Sequence, residues 1–275
     1  MMKMFQCALV VGAMVSAFTA EARQMLYCYD FETVRDAGGE GIYTENSNKG
    51  TGTVVLSRKN TYIDWIYGGA NGSRYGLLSK VNTAGVWLGD DSASLGCSGL
   101  SGFTLSFWVN PPSSVTAWSD FFGFRFGGTD VRFEYVNANR DFTLYRDKGT
   151  CCCYMPGTNA TGNVVGALPA NTWTPVCLVW NFNTSAIDVY VNGVFRCWIQ
   201  CGWNCGHTLQ QLHISSWVRQ AGADRKTVAN TGIDDLALFD FSATPEQVKW
   251  LAHHSPALPP ESYTTAPVLS ATVIA

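Results

Sequence analysis

Residues 176–195 read VCLVWNFNTSAIDVYVNGVF, and this stretch decides the fold. Val176, Leu178, Trp180 and Phe182 alternate with smaller or polar neighbours, the period-two signature of a half-buried strand. Ile187 to Val191 alternates in the same way and runs into Asn192-Gly193, then Val194-Phe195. Asn-Gly between two alternating runs marks a two-residue hairpin, because both turn positions need positive φ. Upstream, Phe103-Thr-Leu-Ser-Phe-Trp-Val109 sends Phe103, Leu105, Phe107 and Val109 to one face and Thr104, Ser106 and Trp108 to the other.

The same pattern recurs in Leu26–Phe31, Thr53–Leu56, Gly85–Leu88, Phe121–Phe126, Val131–Val136, Phe142–Tyr145, Leu209–Ser215 and Ile233–Phe241. Short strands at this spacing, with Gly- and Asn-rich turns, favour an antiparallel sandwich or barrel over βαβ units. One helix is expected. Thr244-Pro245-Glu246-Gln247 supplies an N-cap, a proline at the first helical position and a capping-box Gln, and Pro256 limits its length to about two turns.

The 275 residues are 47% hydrophobic and 13% aromatic, which excludes a disordered chain because that surface must be buried. Only 14% are charged, and the net charge of −3 offers no basic stripe, so nucleic acid is not an expected partner. Residues 1–22 read as a signal peptide: Lys3, the apolar run Ala8 to Phe18, then Ala20-Glu21-Ala22 as a small-x-small cleavage site. The expected mature domain covers 23–254, followed by a Pro/Ser/Thr/Ala-rich tail or linker over 255–275. No later segment approaches 18 uncharged apolar residues, so no transmembrane segment is expected in the mature chain. The expected location is secreted, periplasmic or at the cell surface.

Cleavage removes Cys7 from ten cysteines and leaves an odd number. Export points to disulfides, with Cys151, Cys152, Cys153, Cys177, Cys197, Cys201 and Cys205 as candidates and the pairing open. Zinc on Cys201, Cys205 and His207 is the weaker reading, since their spacing matches no standard zinc motif.

The order of these features resembles the laminin-G-like jelly roll of the concanavalin A-like lectin/glucanase superfamily. The residues that carry the resemblance begin with Leu26-Tyr-Cys-Tyr-Asp-Phe-Glu32 and Phe103-Thr-Leu-Ser-Phe-Trp-Val-Asn-Pro111. Asn171-Thr-Trp-Thr-Pro-Val-Cys-Leu-Val-Trp180 and Asp188-Val-Tyr-Val-Asn-Gly-Val194 follow. Gly232-Ile-Asp-Asp-Leu-Ala-Leu-Phe239 and the segment Ser242 to Leu251 close the series. The resemblance implies an all-β fold, a two-sheet antiparallel jelly-roll sandwich with one short C-terminal helix. Members bind glycans or proteins, some hold calcium, and a minority are glycosidases.

Glycosidases of this superfamily use Glu-x-Asp-x-x-Glu, because two carboxyl groups must flank the bond to be cleaved. Here Glu40 and Glu45 have the outer spacing, but Ile42 takes the central position and Gly38, Gly39 and Gly41 make the stretch a poor strand. Glu32, Glu134 and Glu246 stand isolated in the sequence, and no G-x-S-x-G or H-E-x-x-H appears. The expectation is a non-catalytic carbohydrate-binding or surface-recognition module, with protein–protein adhesion on the same fold as the first alternative and a glycoside hydrolase lacking the usual Glu-x-Asp-x-x-Glu motif as the second.

Sugar rings stack on exposed aromatic faces. Trp203, inside Cys201-Gly-Trp-Asn-Cys205, and Trp118, in the polar loop 113–119, are the ligand candidates, with Asn204 and His207 as polar neighbours. Trp203 otherwise folds back over the cysteines as a small satellite core. By resemblance, Asp36 and Asp234 are the candidate calcium ligands, because the first and last strands of a jelly roll often neighbour each other. A glycan or a cell-surface protein is the expected partner, and no cofactor is expected to be required beyond that candidate calcium.

Overall fold

The computed structural model describes residues 25–29, 31, 34–37, 40–44, 53–56, 63–73, 75–79, 86–88, 102–117, 119–126, 129–146, 153–154, 165–184, 186–200, 209–214 and 231–254. In chain order the strands are β1 (Met25–Tyr29), β2 (Val34–Ala37), β3 (Glu40–Thr44), β4 (Thr53–Leu56), β5 (Ile63–Tyr67) and β6 (Tyr75–Ser79). Next come β7 (Val86–Leu88), β8 (Gly102–Asn110), β9 (Ser119–Phe126), β10 (Thr129–Tyr135), β11 (Asp141–Arg146) and β12 (Cys153–Tyr154). The last six are β13 (Gly166–Ala167), β14 (Thr174–Asn181), β15 (Ala186–Val191), β16 (Val194–Gln200), β17 (Leu209–Ile214) and β18 (Thr231–Phe239), and helix α1 (Pro245–Leu251) closes the series.

Two antiparallel sheets form the sandwich. The larger has the order β12-β16-β15-β14-β8-β18-β6-β5, with β1 also paired to β18. The smaller runs β13-β11-β10-β9-β17-β7. Strand order jumps along the chain in both, as a jelly roll requires, while β2-β3-β4 make a separate three-stranded sheet. Glu40–Thr44 corrects the expectation of a poor strand there. It is the central strand of that small sheet, with Gly41 opposite both Asp36 and Leu56, and pairing on two sides outweighs the low strand propensity of glycine.

The inner faces meet through aromatic side chains. Phe107 of β8 stacks on Phe122 of β9 with centroids 4.5 Å apart and meets Phe133 of β10 edge-on at 5.6 Å. A bulge in β9 skips one residue between the pairs Phe122↔Phe133 and Asp120↔Glu134. That extra residue lets consecutive Phe121 and Phe122 both enter the core, where simple alternation would expose one of them. Burying each ring stabilises the fold by about 1.5–3 kcal/mol relative to leaving it exposed.

The opposite face of the large sheet is covered by α1. Val248 and Leu251 pack with Cys177, Val179, Ala237 and Phe239, the outward set of β14 and β18. The helix starts as expected: Thr244 accepts from the Gln247 amide, and the Gln247 side chain accepts from the Thr244 amide. The approach to it is pinned by Thr104, which donates to Phe241 O and accepts from the Ala243 amide. The Asn192-Gly193 hairpin reaches the same helix, because a Cβ on Gly193 would lie 3.1 Å from Ala252 and Lys249. His254 stacks on Trp250 with ring centroids 4.2 Å apart.

The expected disulfide roles of Cys177 and Cys197 are corrected. Both are buried thiols. Cys177 lies opposite Tyr190 and Cys197 opposite Val189, so the two occupy opposite faces of β14 and β16, with β15 between them. Two strand spacings of about 4.8 Å exceed the Cα separation of roughly 7 Å that a disulfide tolerates. Cys153 is placed in β12. Cys151, Cys152, Cys201 and Cys205 lie outside the described residues. Among the described residues, no helix is long and apolar enough to cross a membrane.

Candidate functional site

Strand β18 changes partners along one edge. Thr231 to Ile233 pair with β6, and Leu236 to Phe239 pair with β1. Asp234 and Asp235 occupy the gap, at a bulge in the pairing with β8, and Asp235 takes a left-handed backbone at φ 46°. Two consecutive acids in an otherwise apolar strand are tolerated there because a neighbouring turn supplies donors.

That turn, residues 68–73, joins β5 to β6. Asp234 Oδ2 accepts from the Ala70 amide at 2.7 Å and from Ser73 Oγ at 2.6 Å, and Oδ1 accepts from the Asp235 amide at 2.8 Å. Asn71 Nδ2 donates to Asp235 Oδ2 at 3.1 Å. Burial and the adjacent Asp235 carboxyl push the pKa of Asp234 up to about 8, while the hydrogen bonds from Ser73, Ala70 and Asp235 pull the other way. Asp234 therefore clamps the turn.

Trp173 extends this corner. Its Nε1 donates to Gly68 O at 2.9 Å, and its six-membered ring lies over Gly232, where a Cβ would come within 2.9 Å of Cη2. The ring is half-buried and fixed at both edges, while Asn71, Asn171 and Thr172 are exposed beside it. Trp108, opposite Asp234 in the β8–β18 ladder, has a buried indole N–H without a hydrogen-bond partner among the described residues. Sequence reasoning passed over Trp173 and Asp235. The doubled acid in Ile233-Asp-Asp-Leu236 was the readable sign of a bulge.

A second acidic pair belongs to the smaller sheet. Glu134, isolated in the sequence, stands directly opposite Asp120 on one side and Thr143 on the other, and all three are buried. Directly opposite residues have Cβ atoms about 4.5–5.5 Å apart. The sheet thus brings together two carboxyl groups that no linear motif announces.

The other expected site residues are distributed as follows. Trp203, Asn204, His207 and Trp118 lie outside the described residues. Asp36 is placed in β2 of the three-stranded sheet, and Asp234 in β18 of the large sheet. The first and last strands of the large sheet do neighbour each other, as β1 and β18. Both oxygens of Asp234 already accept protein donors, and no group of three or more His, Cys, Asp or Glu suited to a metal ion occurs among the described residues.

This fold defines a class. A family model described as the concanavalin A-like lectin/glucanases superfamily matches residues 80–249, more than half of the chain, and the chain belongs to that superfamily. No curated protein matches it in sequence. Among solved structures, it is similar to domain 4 of an extracellular GH43 arabinanase from Geobacillus stearothermophilus, solved in complex with arabinotriose. That match has 18% identity, covers 84% of this chain and 100% of that one, and has a TM-score of 0.50. A sialidase from Trypanosoma rangeli, in complex with 2,3-difluorosialic acid, matches at 14% identity over 80% of this chain and 31% of that one, with a TM-score of 0.47. A heptameric SAP-like pentraxin from Limulus polyphemus matches at 13% identity over 56% and 70%, with a TM-score of 0.38.

The superfamily match and the arabinanase-domain match correct the expectation that the chain is not an enzyme. The superfamily includes glucanases, and the fold is shared with a domain of an arabinanase, so a missing Glu-x-Asp-x-x-Glu does not set the chain apart from glycosidases. Likeness at these identities shows the fold and assigns no reaction.

Proposed function

We propose that this chain is an exported carbohydrate-recognition domain, acting outside the cytosol on a glycan of a cell surface or extracellular polymer. The observation that carries the reading is the match to the arabinanase domain, which spans the whole of that domain and was solved with a bound trisaccharide. Membership of a lectin and glucanase superfamily supports it, as does a half-buried, doubly fixed tryptophan among exposed asparagines. Export rests on the signal-peptide pattern at 1–22 and the mature chain's cysteine content.

A second reading, protein adhesion, draws on the exposed Val194 and Phe195 beside the hairpin turn. Two residues make a small patch, and isolated apolar residues on a surface are ordinary.

The test is a glycan array on residues 23–275, run with calcium and again with EDTA, with product analysis to detect cleavage. Selective glycan binding is the expected result, and the EDTA arm tests for the calcium for which Asp36 and Asp234 are the candidate ligands. Loss of binding in Trp203→Ala or Trp118→Ala would place the ligand on those loops. A blank array on folded, oxidised protein overturns the glycan reading in favour of a protein partner.

A further inference from the structure

We propose that the corner built by Trp173, Asn71, Asn171 and Thr172 is a contact site for an uncharged oligosaccharide. The inference rests on the glycan reading and deepens it by naming the surface and the ligand's charge class.

The corner is rigid before any ligand arrives. The indole is held at Nε1 by Gly68 O and along its far ring by the bare backbone of Gly232. The turn that carries Gly68 is held in its turn by Asp234, through the Ala70 amide and the Ser73 hydroxyl. The strand-leading segment is fixed as well, since the Asn171 amide donates to Pro111 O. An aromatic face whose rotamer is already set loses little entropy when a ring stacks on it.

Its exposed polar side chains are neutral. Asn71 spends its amide N–H on Asp235, which leaves the amide oxygen as an acceptor. Asn171 and Asn71 both adopt left-handed backbone, at φ 50° and 49°, a conformation that asparagine tolerates better than most residues. Thr172 donates to Ala170 O and keeps its oxygen lone pairs. Segments 68–73 and 171–174 contain no Lys, Arg, Asp or Glu. Among the described residues, the charged groups bonded to this corner or its flanks are Asp234 and Asp235, at 0% and 1% exposure, and Arg140, whose guanidinium donates to Leu168 O and Ser113 O. Arg74, next in sequence, lies outside the described residues. An acidic sugar would meet two carboxyl groups behind the wall and a flanking guanidinium already held by two backbone carbonyls, whereas an uncharged pentose or hexose chain needs only an apolar face and amide hydrogen bonds.

The experiment titrates residues 23–275 calorimetrically with arabinotriose, cellotriose, maltotriose and the acidic 3′-sialyllactose, together with any oligosaccharide selected on the array. Trp173→Ala, Trp173→Phe and the exposed Asn171→Ala are compared with the parent, and each fold is checked by circular dichroism. The expected result is binding of an uncharged sugar that weakens about ten-fold or more in Trp173→Ala, less in Trp173→Phe, and several-fold in Asn171→Ala. If Trp173→Ala does not fold, Trp173→Phe and Asn171→Ala decide. Unchanged affinity in the folded variants overturns the corner and leaves the glycan reading standing. A preference for 3′-sialyllactose overturns the charge class. Failure of the parent chain to bind any glycan overturns both.

Discussion

Asp234 and Ala70 lie 164 positions apart in the chain and are joined by a 2.7 Å hydrogen bond from the Ala70 amide to the Asp234 carboxyl. The bond ties the turn between β5 and β6 to the point where β18 exchanges β6 for β1 as its neighbour. One buried side chain therefore joins sheet continuity to the posture of Trp173, which hangs from the same turn through Gly68 O.

Replacing Asp234 should cost stability. Asp234→Asn keeps one acceptor oxygen: set at the Oδ2 position it serves Ala70 N and Ser73 Oγ but turns its NH2 toward the Asp235 amide, so at least one buried donor loses its partner at a cost of about 1–3 kcal/mol. Ser73→Ala should cost less, because Asp234 keeps its backbone partners. Denaturant unfolding measures both, and equal stability of Asp234→Asn and the parent would refute the clamp.

The pH dependence has a definite sign. Asp234 has a folded-state pKa of about 8, against an ordinary value near ~3.9 for aspartate, so the native state binds the extra proton between those values. This contribution to stability is complete below about pH 4, declines as pH rises toward 8, and levels off beyond it. Stability curves measured from pH 4 to 9 should be flatter in Asp234→Asn than in the parent. Identical slopes would remove Asp234 from the titration.

Gly193 carries two constraints at once, a φ of +69° in the hairpin and a Cβ position 3.1 Å from Ala252 and Lys249. Gly193→Ala should destabilise by about 1 kcal/mol or more, with Gly68→Ala less costly because that position has open space. Thermal melts of the two variants separate the strain of positive φ, which they share, from the helix contact, which only Gly193 has.

Cys177 and Cys197 should be silent toward a maleimide in the native protein and react once it is unfolded without reductant, because both are buried thiols. Burial also pushes the Cys177 thiol pKa up, keeping it protonated and unreactive. Mass spectrometry after alkylation reads this directly. A disulfide at either residue would contradict the placement of these thiols.

Much of the architecture was legible in the linear chain. The alternation in Phe103–Val109 and Val176–Phe182, the Asn192-Gly193 turn and the Thr244 capping box are local signals, and each appears where it was read. They can be read because a strand's period, a two-residue turn and a helix cap depend on neighbours within a few residues. The candidate sites were not legible in this way. Glu134 meets Asp120 only through a bulge that sets the β9–β10 register, and Cys177 and Cys197 part company only because β15 lies between their strands. Trp173 meets Gly68 and Gly232 only once strands distant in sequence share an edge. Composition and period determined that this chain would form an antiparallel sandwich or barrel. Strand order and register, which are properties of the assembled sheets, decided which side chains meet.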